Sequence, residues 1–129
     1  MKETPPTRFE CCNPILCVND MAAAVRYYVE VLGFEQARWG DRNFTCVTRE
    51  GASIYLSNGG QGQIGAWVCI GVNDVEQLHE EWEAEGAIIR DEPRNYPWAF
   101  EMRVEDLDGN VLRLGSAPKK DRPYDVWLP

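Results

Sequence analysis

The chain states one structural plan twice. Val18-Asn19-Asp20 recurs as Val72-Asn73-Asp74, 54 residues later. Each copy follows a strand-like run. Each precedes a helical pattern that ends on glycine, at Leu32-Gly33-Phe34 and at Glu85-Gly86-Ala87. Each half then closes on a hairpin turning at a glycine, Glu50-Gly51 and Asp108-Gly109. A duplicated unit constrains the fold strongly, because equivalent positions must take equivalent places. Here those positions are expected to face each other across one shared cavity.

The local patterns give the elements. Phe9 to Val18 reads as the first strand, and Asp20 suits a helix N-cap. Ala24, Tyr28 and Leu32 fall on one face of a helix over 21–32, which Gly33 ends. Strands are expected near 34–39, 43–48 and 52–57. The glycine-rich stretch 57–62 is a flexible connection. The second half repeats the order: a strand over 64–72, and a helix from Asp74 to about Glu85 with Val75, Leu78 and Trp82 as its apolar stripe. A short strand at 87–90 follows, then a proline-rich loop over 93–97 and a hairpin of 98–105 with 110–115. The fold class is therefore α+β, two tandem β-α-β-β-β modules forming a curved mixed sheet with helices on the outer face. The domain boundaries are expected as an N-terminal arm over 1–8, one domain over 9–115 (modules 9–57 and 64–115), and a tail over 116–129. Tyr124 and Trp127 in that tail either pack back onto the body or a partner, or the end is disordered.

Strand alternation assigns the sheet faces. Ile54, Leu56, Val68, Ile70, Val72, Leu112 and Leu114 share the parity expected beneath the helices. The other parity carries Ser53, Tyr55, Ser57, Trp67, Cys69, Val111 and Arg113. That mixed, aromatic face suits a ligand-bearing concavity.

Composition excludes several classes. A net charge of −8 gives no basic footprint for nucleic acid. It favours cationic ligands or serves plain solubility. No apolar run approaches a membrane span, and the first residues lack a signal-peptide stretch, so a cytoplasmic location is expected. The five cysteines form no CxxC pair and read as reduced, small buried hydrophobes. One strand could not aim Cys11, Cys12 and Cys17 at a single ion. His79, the sole histidine, reads as a helix-surface or packing residue.

The run Asn13-Pro-Ile-Leu-Cys-Val-Asn-Asp20, followed by Ala24 to Phe34, resembles the opening of the vicinal oxygen chelate superfamily. Asp106-Leu-Asp-Gly-Asn-Val-Leu-Arg-Leu114 resembles its closing hairpin. That superfamily includes glyoxalase I, extradiol dioxygenases, and fosfomycin and bleomycin resistance proteins. Its enzymes hold a divalent metal at strand positions that the repeat locates here at Asn13, Tyr55, Trp67 and Arg113. Trp cannot ligate, Arg is permanently charged, Tyr is a poor ligand near neutral pH, and Asn is weak alone. No metal and no cofactor are expected in this cavity.

Ala66-Trp67-Val68, Glu81-Trp82 and Pro97-Trp98-Ala99-Phe100-Glu101 resemble the bleomycin resistance branch. That resemblance implies a homodimer that sequesters a small aromatic or amphiphilic molecule in aromatic-lined crevices between subunits, without reaction. The implied ligand-binding residues are Trp39, Phe44, Tyr55, Ser57, Trp67 and Trp98, with Arg113 at a cavity position. Trp39, Trp67 and Trp98 otherwise read as ordinary core aromatics. Arg113 either clamps an anionic group of the ligand or is neutralised by Glu101. The rival reading is a divergent lyase, isomerase or dioxygenase with a non-standard metal site using Cys69 or Glu101.

Overall fold

The computed structural model describes residues 4–129; positions 1–3 of the expected arm lie outside them. The order is β1 (Ile15–Val18), α1 (Met21–Arg26) with a π-helical turn (Tyr27–Val31), β2 (Glu35–Gln36), β3 (Phe44–Arg49) and β4 (Ala52–Asn58). The second half runs β5 (Trp67–Gly71), α2 (Val75–Ala84), β6 (Ile88–Asn95), β7 (Phe100–Glu105) and β8 (Val111–Ser116). The α+β class with two repeated modules holds. Each module has its own mixed four-stranded sheet, ordered β1-β4-β3-β2 and β5-β8-β7-β6. The outer pair β1–β4, like β5–β8, is parallel; the remaining pairs are antiparallel.

The two Val-Asn-Asp motifs act as read. Asp20 Oδ1 accepts from the Ala23 N–H at 3.1 Å, and Asp74 Oδ1 from the Gln77 N–H at 3.0 Å. Each satisfies a donor that the first helical turn would otherwise leave orphaned. Among the described residues no helix is long and apolar enough to cross a membrane.

Both sheets turn their helix-covered faces into one core. Leu16, Val18, Val47, Ile54 and Leu56 from the first sheet meet Met102, Val104, Leu112 and Leu114 from the second, with Tyr28, Leu32 and Trp82 between them. The open faces therefore point outward from this core. Side-chain bonds cross the seam. Tyr27 Oη donates to the Glu105 carbonyl at 2.7 Å and accepts from the Ile88 N–H at 3.0 Å. Trp82 Nε1 donates to the Leu32 carbonyl at 3.1 Å, and Arg49 forks onto both oxygens of Glu81 at 2.8 and 3.0 Å.

Four expectations change. The first strand begins at Ile15 rather than Phe9, because β1 pairs only with β4 and Phe9 lies fully exposed. The helix over 21–32 widens to π geometry in its last turn, where the Leu32 N–H reaches the Tyr27 carbonyl at 3.1 Å; the widened turn coincides with Tyr27 and Tyr28 anchoring onto the second module. The 93–97 loop is largely strand: β6 extends to Asn95 through register shifts. Pro93 is tolerated there because β6 is an edge strand. Of the cysteines, Cys17 and Cys46 are buried, but Cys11, Cys12 and Cys69 are exposed.

Burial, followed by the neighbouring Asp106 carboxylate, holds the Tyr28 phenol well above its usual value of 10.0. The folded state keeps that proton where the unfolded chain has lost it. The contribution is thus complete below pH 10.0 and is lost as pH rises towards the folded value. Denaturant unfolding at alkaline pH is expected to show this decline, and Tyr28→Phe to shallow it. Equal slopes for the two proteins would remove Tyr28 as the cause.

Candidate functional site

The residues predicted to share one cavity lie on two open faces. Register places Ile15, Cys46 and Tyr55 side by side on the first sheet, with Cys17, Phe44 and Ser57 in the next row. On the second, Cys69, Arg113, Arg103 and Asp91 form a row, beside Gly71, Gly115 and Glu101. Since both open faces point away from the common core, one chain cannot close a cavity between them.

The first face carries a ring cluster. Phe44 stacks on Tyr55 with centroids 5.5 Å apart and planes 13° from parallel. Trp39 sits 6.1 Å from Phe44 at 29°, and 6.0 Å from Tyr55 at 42°. Offset stacks of this kind add about 0.5–1.5 kcal/mol each beyond burial. Trp39 is still 51% exposed, so the cluster presents a flat ring to solvent. A tight turn aims it. Gly40 has φ +101°, and a Cβ there would lie 2.4 Å from the Phe44 carbonyl oxygen. Asp41 Oδ1 accepts from the Asn43 and Phe44 N–H groups at 2.8 and 3.2 Å, and Thr45 Oγ1 donates to the Trp39 carbonyl at 3.1 Å. Ser57 lies in the same row but is buried, its hydroxyl donating to the Gly59 carbonyl at 2.7 Å. That bond ties down the hydroxyl.

The second face is already furnished. The Arg103 guanidinium lies 5.1 Å from the Trp67 ring centre and 5.6 Å from that of Trp127; Arg90 approaches Trp67 at 5.2 Å. Each such contact is worth about 0.5–2 kcal/mol depending on burial. Trp127 comes from the tail, which packs back. Arg103 donates to the Leu128 and Pro129 carbonyls at 2.6 and 3.0 Å, and Arg94 to the Val126 carbonyl at 2.8 Å. Tyr96 stacks on Trp98 at 4.8 Å, and both meet Trp127 edge-on at 5.5 Å. Trp67 and Trp98 remain about half exposed. Arg113 is neutralised, as the sequence allowed: its Nε lies 3.1 Å from both oxygens of Glu101, which is itself buried.

Arg90, Arg103, Tyr96 and Trp127 were not among the sequence candidates. Arg103 was legible in principle, since Glu101, Arg103 and Glu105 alternate with Met102 and Val104 along β7. For the tail, Tyr124 and Trp127 left packing back open as one of two outcomes, but no local pattern gave its path.

A groove of about 640 Å³ also follows the seam between the modules. It is lined by Asn13, Ser53, Cys69, Asp74 and Gln77, and reaches none of Tyr55, Trp67 or Arg113.

The four positions that hold a metal in enzymes of the resembling superfamily do not fit one here. Asn13 lies in the seam groove, the Tyr55 ring stacks on Phe44, the Trp67 ring is flanked by guanidiniums, and Arg113 carries a fixed positive charge. Glu101 is committed to Arg113. A divalent ion would meet one weak amide donor and a cation.

A family model described as Glyoxalase/Bleomycin resistance protein/Dioxygenase superfamily matches residues 10–114. No curated protein matches the sequence. Among solved structures, the chain is similar to a bleomycin-binding protein from bleomycin-producing Streptomyces verticillus, complexed with copper(II)-bleomycin. Identity is 27% over 88% of this chain and 100% of that one, with a TM-score of 0.75. TnmS3, an antibiotic binding protein from Streptomyces sp. CB03234, gives 24%, 88%, 100% and 0.74 in the same order. TioX from Micromonospora sp. ML1 gives 21%, 84%, 98% and 0.72. The last two are likenesses of fold.

Proposed function

From the premise that the chain belongs to the glyoxalase/bleomycin resistance protein/dioxygenase superfamily, we propose that it is a metal-free binding protein that sequesters a small planar or amphiphilic molecule. It acts as a homodimer in the cytoplasm. The observation that carries this reading is the half-exposed Trp39 held on the Phe44–Tyr55 stack. A flat ring braced by two others offers large contact area at little entropic cost. The outward-pointing faces support the dimer. A second copy would set the Trp67, Trp98 and Arg113 face of one subunit against the Trp39, Phe44 and Tyr55 face of the other. That arrangement supplies both walls of a crevice that one chain leaves open. The likeness to a bleomycin-binding protein at 27% identity supports a ligand of antibiotic type.

The donor set supports binding over reaction. Rings and a neutralised guanidinium offer stacking and shape. The thiols of Cys11, Cys12 and Cys69 are exposed and unpaired, which suits a reducing compartment.

A ligand that binds only the folded state raises the melting temperature, and the stabilisation grows with the logarithm of its concentration over Kd. Thermal-shift titration with bleomycin-class glycopeptides and planar heteroaromatics is expected to yield at least one stabilising ligand. Trp39→Ala and Trp67→Ala should each reduce that shift. No stabilisation by any of these molecules would contradict the proposal.

A further inference from the structure

Apart from the open faces, one group of side chains among the described residues converges more closely than a single ion pair requires. His79 and Glu83 lie one turn apart on α2, and Glu92 reaches them from β6. His79 Nε2 is 3.4 Å from Glu83 Oε2 and 2.5 Å from Glu92 Oε2, and all three potential ligand atoms lie within 4.8 Å of one another. Yet Nε2 is buried and has no aligned hydrogen-bond partner. An imidazole nitrogen carries one hydrogen at most, so it can satisfy only one of two carboxylates. Both glutamates are largely exposed, at 63% and 67% of the side chain. Either could turn into water and escape its neighbour's charge. Instead both point at the same nitrogen.

We propose that His79, Glu83 and Glu92 form a divalent transition-metal site, with zinc the best fit, that clasps α2 to the edge strand β6. One imidazole nitrogen and two carboxylate oxygens are ordinary zinc donors, and a water completes a tetrahedron on the solvent side. With bonds of about 2.0–2.2 Å the edges of that tetrahedron are roughly 3.3–3.6 Å. The His79–Glu83 separation already matches, and a rotation of the exposed Glu92 carboxylate opens the shorter gap. The two negative charges offset the ion's charge, with neutral imidazole as third ligand. The site is independent of the crevice reading. It lies on the helix side of the second module and shares no residue with the open faces.

Untagged protein carrying Cys11→Ser, Cys12→Ser and Cys69→Ser removes the exposed thiols as competing ligands. Zinc alone is then titrated while the ¹⁵N signals of the imidazole are followed; His79 is the sole histidine, so assignment is direct. One equivalent of zinc is expected to shift the Nε2 resonance and make it insensitive to pH. Glu83→Gln and Glu92→Gln are each expected to weaken binding at least as much as the roughly tenfold typical of outer-shell changes, with circular dichroism unchanged. An imidazole that ignores zinc, shifts only at millimolar zinc, or responds in both glutamine variants just as it does in the parent protein would overturn the site and leave an ordinary ion pair.

Discussion

Asp106→Ala is expected to cost about 4 kcal/mol of folding stability, since hydrogen bonds to a charged acceptor are worth about 1.5–3 kcal/mol each and add incompletely. The carboxylate is 3% exposed and accepts four such bonds. Tyr28 Oη donates to Oδ2 at 3.0 Å and Asn110 Nδ2 at 2.9 Å; the Asp108 and Asn110 N–H groups reach Oδ1 at 2.8 and 3.0 Å. Asn110 passes the network on, donating to the Cys17 carbonyl at 3.0 Å and accepting from the Ala66 N–H at 3.0 Å. One hairpin thus ties β1 of the first module, the start of β5 and the π-helical turn together. Alanine would strand several buried donors at once, which water reaches poorly. Asn110→Ala should cost less, and the double variant less than the sum, because the two residues share partners. Chemical denaturation of the three variants checks this. A loss near that of an ordinary surface substitution for Asp106→Ala would contradict the hub role.

Trp39→Ala should divide binding from stability. Truncating a central aromatic anchor costs about 2 kcal/mol of affinity, roughly thirtyfold in Kd. The half-exposed ring gives up mainly its stacking on Phe44 and Tyr55, so the stability loss is about 1 kcal/mol. Calorimetric titration beside a thermal melt reads both quantities. Phe44→Ala should lower both, since Phe44 lies under Trp39 and against Tyr55. A Trp39→Ala protein that keeps full affinity would move the ligand away from the first open face.

Much of this was legible in the residues because it is periodic or local. The Val-Asn-Asp repeat marked both N-caps, and alternation along β4, β5 and β8 separated the core residues from Tyr55, Trp67 and Arg113, although Ser57 and Val111 are buried despite their open-face parity. Asp106 to Leu114 marked the closing hairpin, although pattern alone did not reveal that Asp106 holds the modules together. The candidates Trp39, Phe44 and Tyr55 do meet on one face. What the residues concealed depends on long-range packing. The two modules join through their helical faces, so Tyr55 and Trp67 end on outward faces of one chain rather than across a shared cavity. Trp127 reaches Arg103 and Arg113 only because the tail doubles back, secured by Asn95, whose Nδ2 donates to the Lys119 carbonyl at 2.9 Å while its Oδ1 accepts from the Lys119 N–H at 2.8 Å. Pro93 looked like a breaker, yet an edge strand with register shifts accommodates it.

The proposed crevice holds its ligand by rings and shape rather than through a metal. The direct measurement is a fluorescence titration of chelator-treated protein with the most stabilising ligand from the thermal screen, followed by mass spectrometry of the recovered ligand. Undiminished affinity, quenching that Trp39→Ala weakens, and an unaltered ligand are the predicted results. Binding or turnover that returns only with a stoichiometric metal ion, and that Asn13→Ala or Tyr55→Phe abolishes, would contradict it.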